Sequence, residues 1–371
     1  MLYLFLTSET IINPHEVITK GKGKNMKKSL IALATIGALS GVAHADSNVT
    51  VYGVVDAAVR TANNQNANGD SLNSVGNGLL QGNRLGFKGQ EDLGGGLKAV
   101  FQLESGFNIG DGTAAQNGAT FSRNATVGLS DAKLGTLTIG RQNNLAYDTL
   151  IATDVYGVAN NVAVAGYQSV LTGLRWDNSI KYTNKYQGLN FGAQVASGNT
   201  VGSDSTNSGY ALAAGYTGSN WSVQGVYQKA NDTKDGALGS LAGQNQDFWA
   251  LGGKYAFNDQ TTVYGQYAHS KFDTSGQVNQ IYTVGVAQKL TGNWSVKAAA
   301  TYDKQENVNE GKRQTYSAIL DYAFSKRTDV YAAVDYNKLG SGYSNASYAL
   351  NSATNGNRSS TGLTFGLRHQ F

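Results

Sequence analysis

The chain contains no cysteine, and its single proline is Pro14. The first absence excludes a disulfide framework and any thiolate metal site. The second bears on the sheet, because proline removes a ladder donor and is shut out of central strands. Everything after residue 14 is proline-free, which suits a sheet in which every strand has two neighbours, as in a closed barrel. Histidine is scarce as well: beyond residue 45 only His269 and His369 occur. Neither stands in a Ser and carboxylate arrangement that suggests acyl transfer, and no His/Cys cluster suggests a metal. Both read as interfacial packing residues, so neither an enzyme nor a cofactor is expected.

The N-terminus reads as an address. Met26-Lys27-Lys28, an apolar run from Leu30 to Val42 and then Ala43-His44-Ala45 make a secretory signal peptide with an expected cut after Ala45. Residues 1–25 precede that signal and read as an upstream extension, with Met26 as the initiator. The leader holds five of the 29 Lys and Arg and two of the 25 Asp and Glu, which leaves 24 basic and 23 acidic groups, net +1. Nothing in that balance points to nucleic acid. Past the leader no apolar stretch approaches the ~18 residues of a transmembrane helix. An exported chain without one is either a soluble protein or a membrane β-barrel.

The alternation decides between them. Val49, Val51, Val55 and Val59 share one face of the first strand, while Tyr52, Asp56 and Arg60 share the other. Period-two segments recur at 84–90, 97–103, 121–130 and 136–141. After a long break they resume at about 178–186, 189–198, 208–217, 220–230, 246–257, 260–272, 279–290, 293–304, 312–324, 327–338 and 360–371. That predicts five strands before the break and eleven after it, with tight connections alternating with longer Gly-, Asn- and Ser-rich ones. An even count of strands about 9–11 residues long, with such connections, matches a transmembrane β-barrel. The polar face carries Asp56, Lys88, Glu104, Lys297, Asp303, Asp321, Asp335 and Arg368. A sealed interior could not satisfy so many charges, whereas a water-filled lumen can. Trp221, Trp294, Tyr255, Phe257, Tyr322 and Phe324 cluster at strand ends beside tight turns, where a membrane interface expects aromatic girdles. The chain ends on an alternating strand and Phe371, placed to close the sheet against the first strand and remove its edges.

The break itself spans Asn143 to Asn178 and carries only Asp148, Asp154, Arg175 and Asp177 as formal charges. An irregular insert this long in a compact β protein is usually functional or disordered. The expectation is that it folds back into the barrel and narrows a channel.

With these features in place, the chain resembles a general-diffusion porin of the Gram-negative outer membrane, of the betaproteobacterial type. The likeness rests on Val51-Tyr52-Gly53-Val54-Val55-Asp56, on Arg84-Leu85-Gly86-Phe87-Lys88-Gly89 with Glu91-Asp92-Leu93-Gly94, on Val127-Gly128-Leu129, on Leu137-Thr138-Ile139-Gly140-Arg141-Gln142 and on Phe371. It implies an all-β fold: a sixteen-stranded antiparallel transmembrane β-barrel, usually trimeric, whose third outer loop folds inward. It also implies a last strand, with Phe365, Leu367 and Phe371, that is read by the barrel-assembly machinery. Outer-membrane lipid and lipopolysaccharide are the implied surroundings, and small hydrophilic solutes and ions the implied cargo.

The resemblance further implies a basic ladder on one wall of the constriction and acids on the loop. Arg84 sits in the matching motif, on the same face as Lys88. Arg123 is a second match, although its parity groups it with Ala125, Val127 and Leu129. Arg175, where the insert rejoins the wall, is a third. On the loop Tyr147-Asp148 and Thr153-Asp154 occupy the acid positions, while Tyr156, Gly157 and Val158 stand where a further acid often follows. Val54 replaces a basic residue of some relatives. Arg141 belongs either to the ladder or to an anchor of the loop root near a subunit contact. Three basic candidates against two loop acids predict a weak to moderate anion preference. A substrate-specific channel using Tyr147, Tyr156 and Tyr167 and a barrel without channel activity are the competing readings.

Overall fold

In the first strand, β1 (Asn48–Ala62), Val49, Val51 and Val59 stand exposed while Asp56 is sealed. That inversion, apolar outside and charged inside, runs through the whole sheet. The structure, a computed structural model, describes residues 48–371 apart from 67, 116–117, 161–163, 165–170, 204, 233–242, 309, 341–342 and 344–358. The signal peptide, the upstream extension and Tyr167 lie outside the described residues.

Strands β2 (Leu72–Asn77), β3 (Arg84–Gly94), β4 (Leu97–Gly106), β5 (Asn124–Asp131) and β6 (Gly135–Asn143) precede the insert. The insert opens with α1 (Leu145–Thr153) and is followed by β7 (Arg175–Tyr186), β8 (Leu189–Ala196), β9 (Gly209–Thr217) and β10 (Trp221–Ala230). Then come β11 (Gln246–Ala256), β12 (Thr261–Phe272), β13 (Val278–Lys289), β14 (Trp294–Glu306), β15 (Gly311–Ala323), β16 (Thr328–Leu339) and β17 (Ser359–Gln370). From β3 onward each strand pairs antiparallel with the next, and β17 pairs with β1. Phe371 completes the seam, exchanging backbone hydrogen bonds with Gly53 at 3.0 and 3.1 Å. β2 and β3 are two pieces of one stave, because β3 pairs with residues 48–54 of β1 and β2 with residues 57–62. The barrel therefore closes with sixteen staves, as the alternation predicts.

The structure departs from the sequence reading in three places that bear on the insert and the wall. The segment 62–78, expected as a polar connection, contains β2; Leu72 and Val75 are not in period two, and β1 recruits the segment through backbone pairing instead. The strand expected from Phe121 begins at Asn124, so Arg123 precedes the ladder and escapes the parity of Ala125, Val127 and Leu129. β7 begins at Arg175, opposite Asn143, with a register shift between Gly140 and Gln142 and a left-handed Asn178 at φ 51°. The break is thus residues 144–174. Part of it is helical, which its sequence did not announce.

The outward face forms two aromatic belts over β7 to β16. Near the tight turns Trp294 packs on Tyr322 at 4.7 Å, Tyr255 on Phe257 at 4.9 Å and Tyr216 on Trp221 at 5.4 Å. Near the long connections Trp249, Tyr267, Tyr282 and Tyr302 form a second chain of rings. Buried apolar side chains, by contrast, gather where the insert meets the opposite face. Leu145, Ala146 and Leu150 of α1 pack with Ala211, Val226, Phe248, Ala250 and Ala268. Val155, Tyr156, Ala159 and Val164 pack with Leu79, Leu80, Ile319, Tyr331 and Ala333.

Candidate channel constriction

Local chemistry makes the helix and the wall holds it. Asn144 caps α1, its side-chain oxygen accepting from the Tyr147 amide at 2.8 Å, and Asp148 lies in the first turn, where the helix dipole favours an anion. Four buried glutamines, on the face of β8, β10, β11 and β12 opposite the exposed apolar residues, then take up the insert's backbone groups. Gln194 accepts from the Leu145 amide at 3.0 Å. Gln266 donates to the Leu150 carbonyl at 2.8 Å, Gln246 to Leu171 at 2.5 Å and Gln228 to Thr172 at 2.9 Å. Buried carbonyls without such partners would each be unfavourable by about 1–3 kcal/mol.

The far part of the insert is held at two more places. The Tyr156 hydroxyl bonds the Ser317 carbonyl on β15 at 3.0 Å, and the Ser317 hydroxyl donates to the Val164 carbonyl at 2.7 Å. Asn160 donates to the Leu79 and Gly78 carbonyls at 2.7 and 3.0 Å. Those two carbonyls belong to the bend between β2 and β3, and Asp56 sets that bend. Its carboxylate is fully buried and accepts from the Leu80 and Gln81 amides at 2.9 and 2.8 Å and from the Tyr331 hydroxyl at 2.8 Å. The Tyr331 oxygen in turn accepts from the Leu79 amide at 2.7 Å. Asp56→Asn should loosen this clasp by about 1.5–3 kcal/mol, the usual worth of a charge-assisted bond. The expected readout is a lower conversion temperature of the heat-modifiable band in gel electrophoresis and more open-state current noise; an unchanged melting profile and unchanged noise would remove Asp56 from this role.

The structure brings four of the sequence-selected residues together. Arg175 donates to the Arg123 carbonyl at 2.9 Å and lies over the Tyr147 ring at 5.9 Å. Arg84 is within electrostatic reach of Arg123 and Tyr147, and among the described residues its Nε has no hydrogen-bond partner. The counter-acid comes from the wall rather than the loop: Glu104 on β4 pairs with Arg123 at 2.5 Å and accepts from the Tyr52 hydroxyl at 2.8 Å. Lys88 stands apart, over the Tyr52 ring at 5.1 Å and opposite Thr50 and Gln102.

The loop acids are not part of that group. Asp148 pairs with Lys181 of β7 at 2.8 Å and accepts from Asn143. Asp154 is buried at the C-terminal end of α1, accepting from the Tyr156 and Val158 amides at 3.0 and 2.8 Å. Burial pushes its carboxyl above the usual range, against those amides and the attraction of Lys297. Tyr156 is buried too, which withdraws it from any aromatic path along the channel. Arg141 sits at the register shift, donating to the Ser122 carbonyl at 2.7 Å and pairing with Asp177 at 2.5 Å. It ties both ends of the insert to the segment before β5. At the seam, Phe365, Leu367 and Phe371 are exposed on the outward face.

The functional residues that sequence reasoning missed are Glu104 as counter-acid, Asp56 with Tyr331 as a clasp, and the four glutamines. Inward parity on their strands was the available signal, but parity gives a face and not a partner.

Comparison with known proteins agrees with this geometry. The Gram-negative porin family matches residues 30–342. An outer membrane porin protein of Bordetella pertussis is 30% identical over 404 residues, covering 93% of this chain and all of that one. Outer membrane porin protein 32 of Delftia acidovorans is 32% identical over 376 residues, with 93% and 100% covered. Among solved structures, an anion-selective porin from Comamonas acidovorans superposes with a TM-score of 0.73 at 27% identity, covering 88% of this chain and 100% of that one. The inside-out barrel, its aromatic belts and these matches together place the chain in the Gram-negative porin family, as a β-barrel channel protein of the outer membrane.

Proposed function

We propose that residues 144–174 fold into the barrel and narrow its lumen, so that the protein passes small hydrophilic solutes and ions by passive diffusion with a weak to moderate anion preference. The observation that carries the preference is the group of Arg84, Arg123 and Arg175 against one neighbouring acid, Glu104. With Asp148 neutralised by Lys181 and Asp154 buried, the loop adds little negative charge to oppose it. The constriction residues are then Arg84, Arg123, Arg175 and Tyr147, with Lys88 biasing ions nearer the short-turn end and Arg141 anchoring the loop root. The Comamonas porin's described anion selectivity supports the same sign. No covalent chemistry is involved. Linear, stepwise conductance of the purified protein in planar bilayers tests this reading, and saturable block by a sugar or peptide would overturn it in favour of a substrate-specific channel.

The outward face also supports a trimer. Residues 48–143 contain one tyrosine, the inward Tyr52, and no tryptophan, so the two belts stop there. In their place stand Val49, Val51, Val127, Leu129, Leu137 and Ile139, exposed and aliphatic, beside the small Gly53, Ala57 and Ala99. A face without interfacial anchors but with close-packing residues suits a subunit contact within the membrane. A heat-labile, SDS-resistant band at three times the monomer mass is expected, and a monomer in mild detergent would contradict it. Residues 26–45 serve as the cleaved export signal, and the last strand serves as the signal for barrel assembly.

A further inference from the structure

Two glycines of the wall sit directly under the insert. On β11 the buried series Gln246, Phe248 and Ala250 continues to Gly252, and on β13 Asn279, Ile281 and Thr283 lead to Gly285. Both positions thus share the face opposite the exposed Leu251 and Val284. A Cβ on Gly252 would stand 2.8 Å from the Cβ of Thr153, and one on Gly285 would stand 2.7 and 2.8 Å from Cγ1 and Cβ of Val155. Neither glycine has a left-handed backbone, so alanine fits the strand conformation and only the space is missing. Carbon atoms in contact rest about 3.5–4.0 Å apart, and a Cβ moves only with its backbone, so no rotamer relieves either clash. The insert itself would have to shift. Gly192 on β8 shows the difference: a Cβ there would meet Cδ2 of Leu145 at 2.9 Å, the end of a side chain that can turn aside.

The surrounding bonds hold the insert down at these two points. Gln266, directly opposite Gly252 on β12, donates to the Leu150 carbonyl and the Thr153 hydroxyl, both at 2.8 Å. Val155 lies between Asp154, which gathers the Tyr156 and Val158 amides, and Tyr156, whose hydroxyl bonds Ser317. The place of the two glycines in the ring sets the direction of any displacement. β11 follows β3 by eight strands and β13 follows β5 by eight, half the circumference of a closed ring of sixteen staves. Arg84 opens β3, and Arg123 immediately precedes β5. An insert lifted off Gly252 and Gly285 therefore moves toward Arg84 and Arg123 and narrows the passage beside them.

We propose that Gly252 and Gly285 set the width of the channel: two bare places in the wall that let the insert lie flat and keep the passage beside the arginines open. They are positioning residues, acting through Thr153 and Val155. The proposal rests on the reading of residues 144–174 as the constriction.

The test compares the purified full barrel with the variant Gly252→Ala, Gly285→Ala. Gly265→Ala is the control, since a Cβ at Gly265, on the strand between them, meets nothing within 4 Å. No backbone hydrogen bond is removed, so each protein should give the heat-modifiable band. Bringing the new contacts to ordinary separation needs a shift of about 1 Å, which in a passage for small hydrated solutes should lower single-channel conductance by roughly a third and reduce the exclusion size. Gly265→Ala should conduct like the parent. Val155→Gly in the Gly285→Ala background should restore most of what Gly285→Ala alone loses, because the wall then supplies the carbon that the insert gives up. A merely structural wall residue would show no such coupling. If the alanine variant does not assemble, Val155→Leu on the intact wall crowds the same contact from the insert's side and should also lower conductance. Parent-like conductance in the folded alanine variant or in Val155→Leu, an equal fall in Gly265→Ala, or no rescue would overturn the proposal. The constriction reading fails separately, if shortening residues 147–157 leaves conductance unchanged. If shortening raises conductance while the alanines leave it unchanged, only the assignment of the two glycines falls.

Discussion

Replacing residues 147–157 by a short flexible link raises single-channel conductance severalfold and admits solutes that the intact protein excludes. The expectation follows from resistances in series, since the narrowest section of a water-filled path dominates its conductance. The excised segment includes most of α1 and the turn holding Val155 and Tyr156, which contact β8 to β12 at one end and β15 at the other. Contacts to staves so far apart around a closed sheet, on the face opposite the exposed apolar residues, are what the proposed crossing of the lumen requires. The barrel does not depend on it. Every stave is closed by backbone pairing to its neighbours, including β17 to β1, so the variant should still give a heat-modifiable band. Gln266, which held Leu150 and Thr153, would then bond water, while Gln194, Gln228 and Gln246 keep their partners Leu145, Thr172 and Leu171 in the retained segments. If the variant folds and its conductance and exclusion size are those of the parent, the insert lies outside the lumen.

The second large effect is on charge. In the double variant Arg84→Gln, Arg123→Gln, the reversal potential in a salt gradient should move from the anion side toward zero. With Glu104 retained, the local group passes from three arginines and one acid to one of each. A unit charge about 8 Å away across water contributes about 0.5 kcal/mol, a factor of about 2 in permeability ratio. Two charges removed thus predict a roughly fivefold fall in anion preference. The effect should shrink at 1 M salt, where the Debye length is about 3 Å. Arg175 is left in place because it also holds the Arg123 carbonyl, so its loss would confuse charge with geometry. A double variant with the parent's selectivity would move the selectivity filter away from these arginines. Lys181→Gln provides an independent check: it frees Asp148 and should lower anion preference without touching the ladder.

Much of the fold was readable because barrel strands obey a local rule. Val49, Val51 and Val59 announced an outward face, and Phe371 announced the seam. β2 was invisible because Leu72-Asn73-Ser74-Val75 has no period; only the neighbouring β1 makes it a strand. Arg123 was ambiguous for the opposite reason, since its parity was read from a strand that starts one residue later. The insert shows the limit most clearly. Asn144 caps the helix and Asp148 lies in its first turn, but the run from Leu145 to Thr153 is not amphipathic and gave no periodic signal, so the insert read as irregular and Asp148 as a loop acid. The fates of Asp148 and Asp154 depend on Lys181, far along the chain, and on the tight turn to Val158, and neither follows from spacing. Long-range pairings such as Asp56 with Tyr331 are set by barrel closure, so they became visible only once the register was known.

The central claim is that this barrel is an open, charge-biased diffusion pore, and the reversal potential of the purified wild-type protein across a planar bilayer in a KCl gradient tests it most directly. Stepwise, ohmic channels are expected, with a reversal potential on the chloride side. Absence of channels, or a reversal potential on the potassium side, would contradict it.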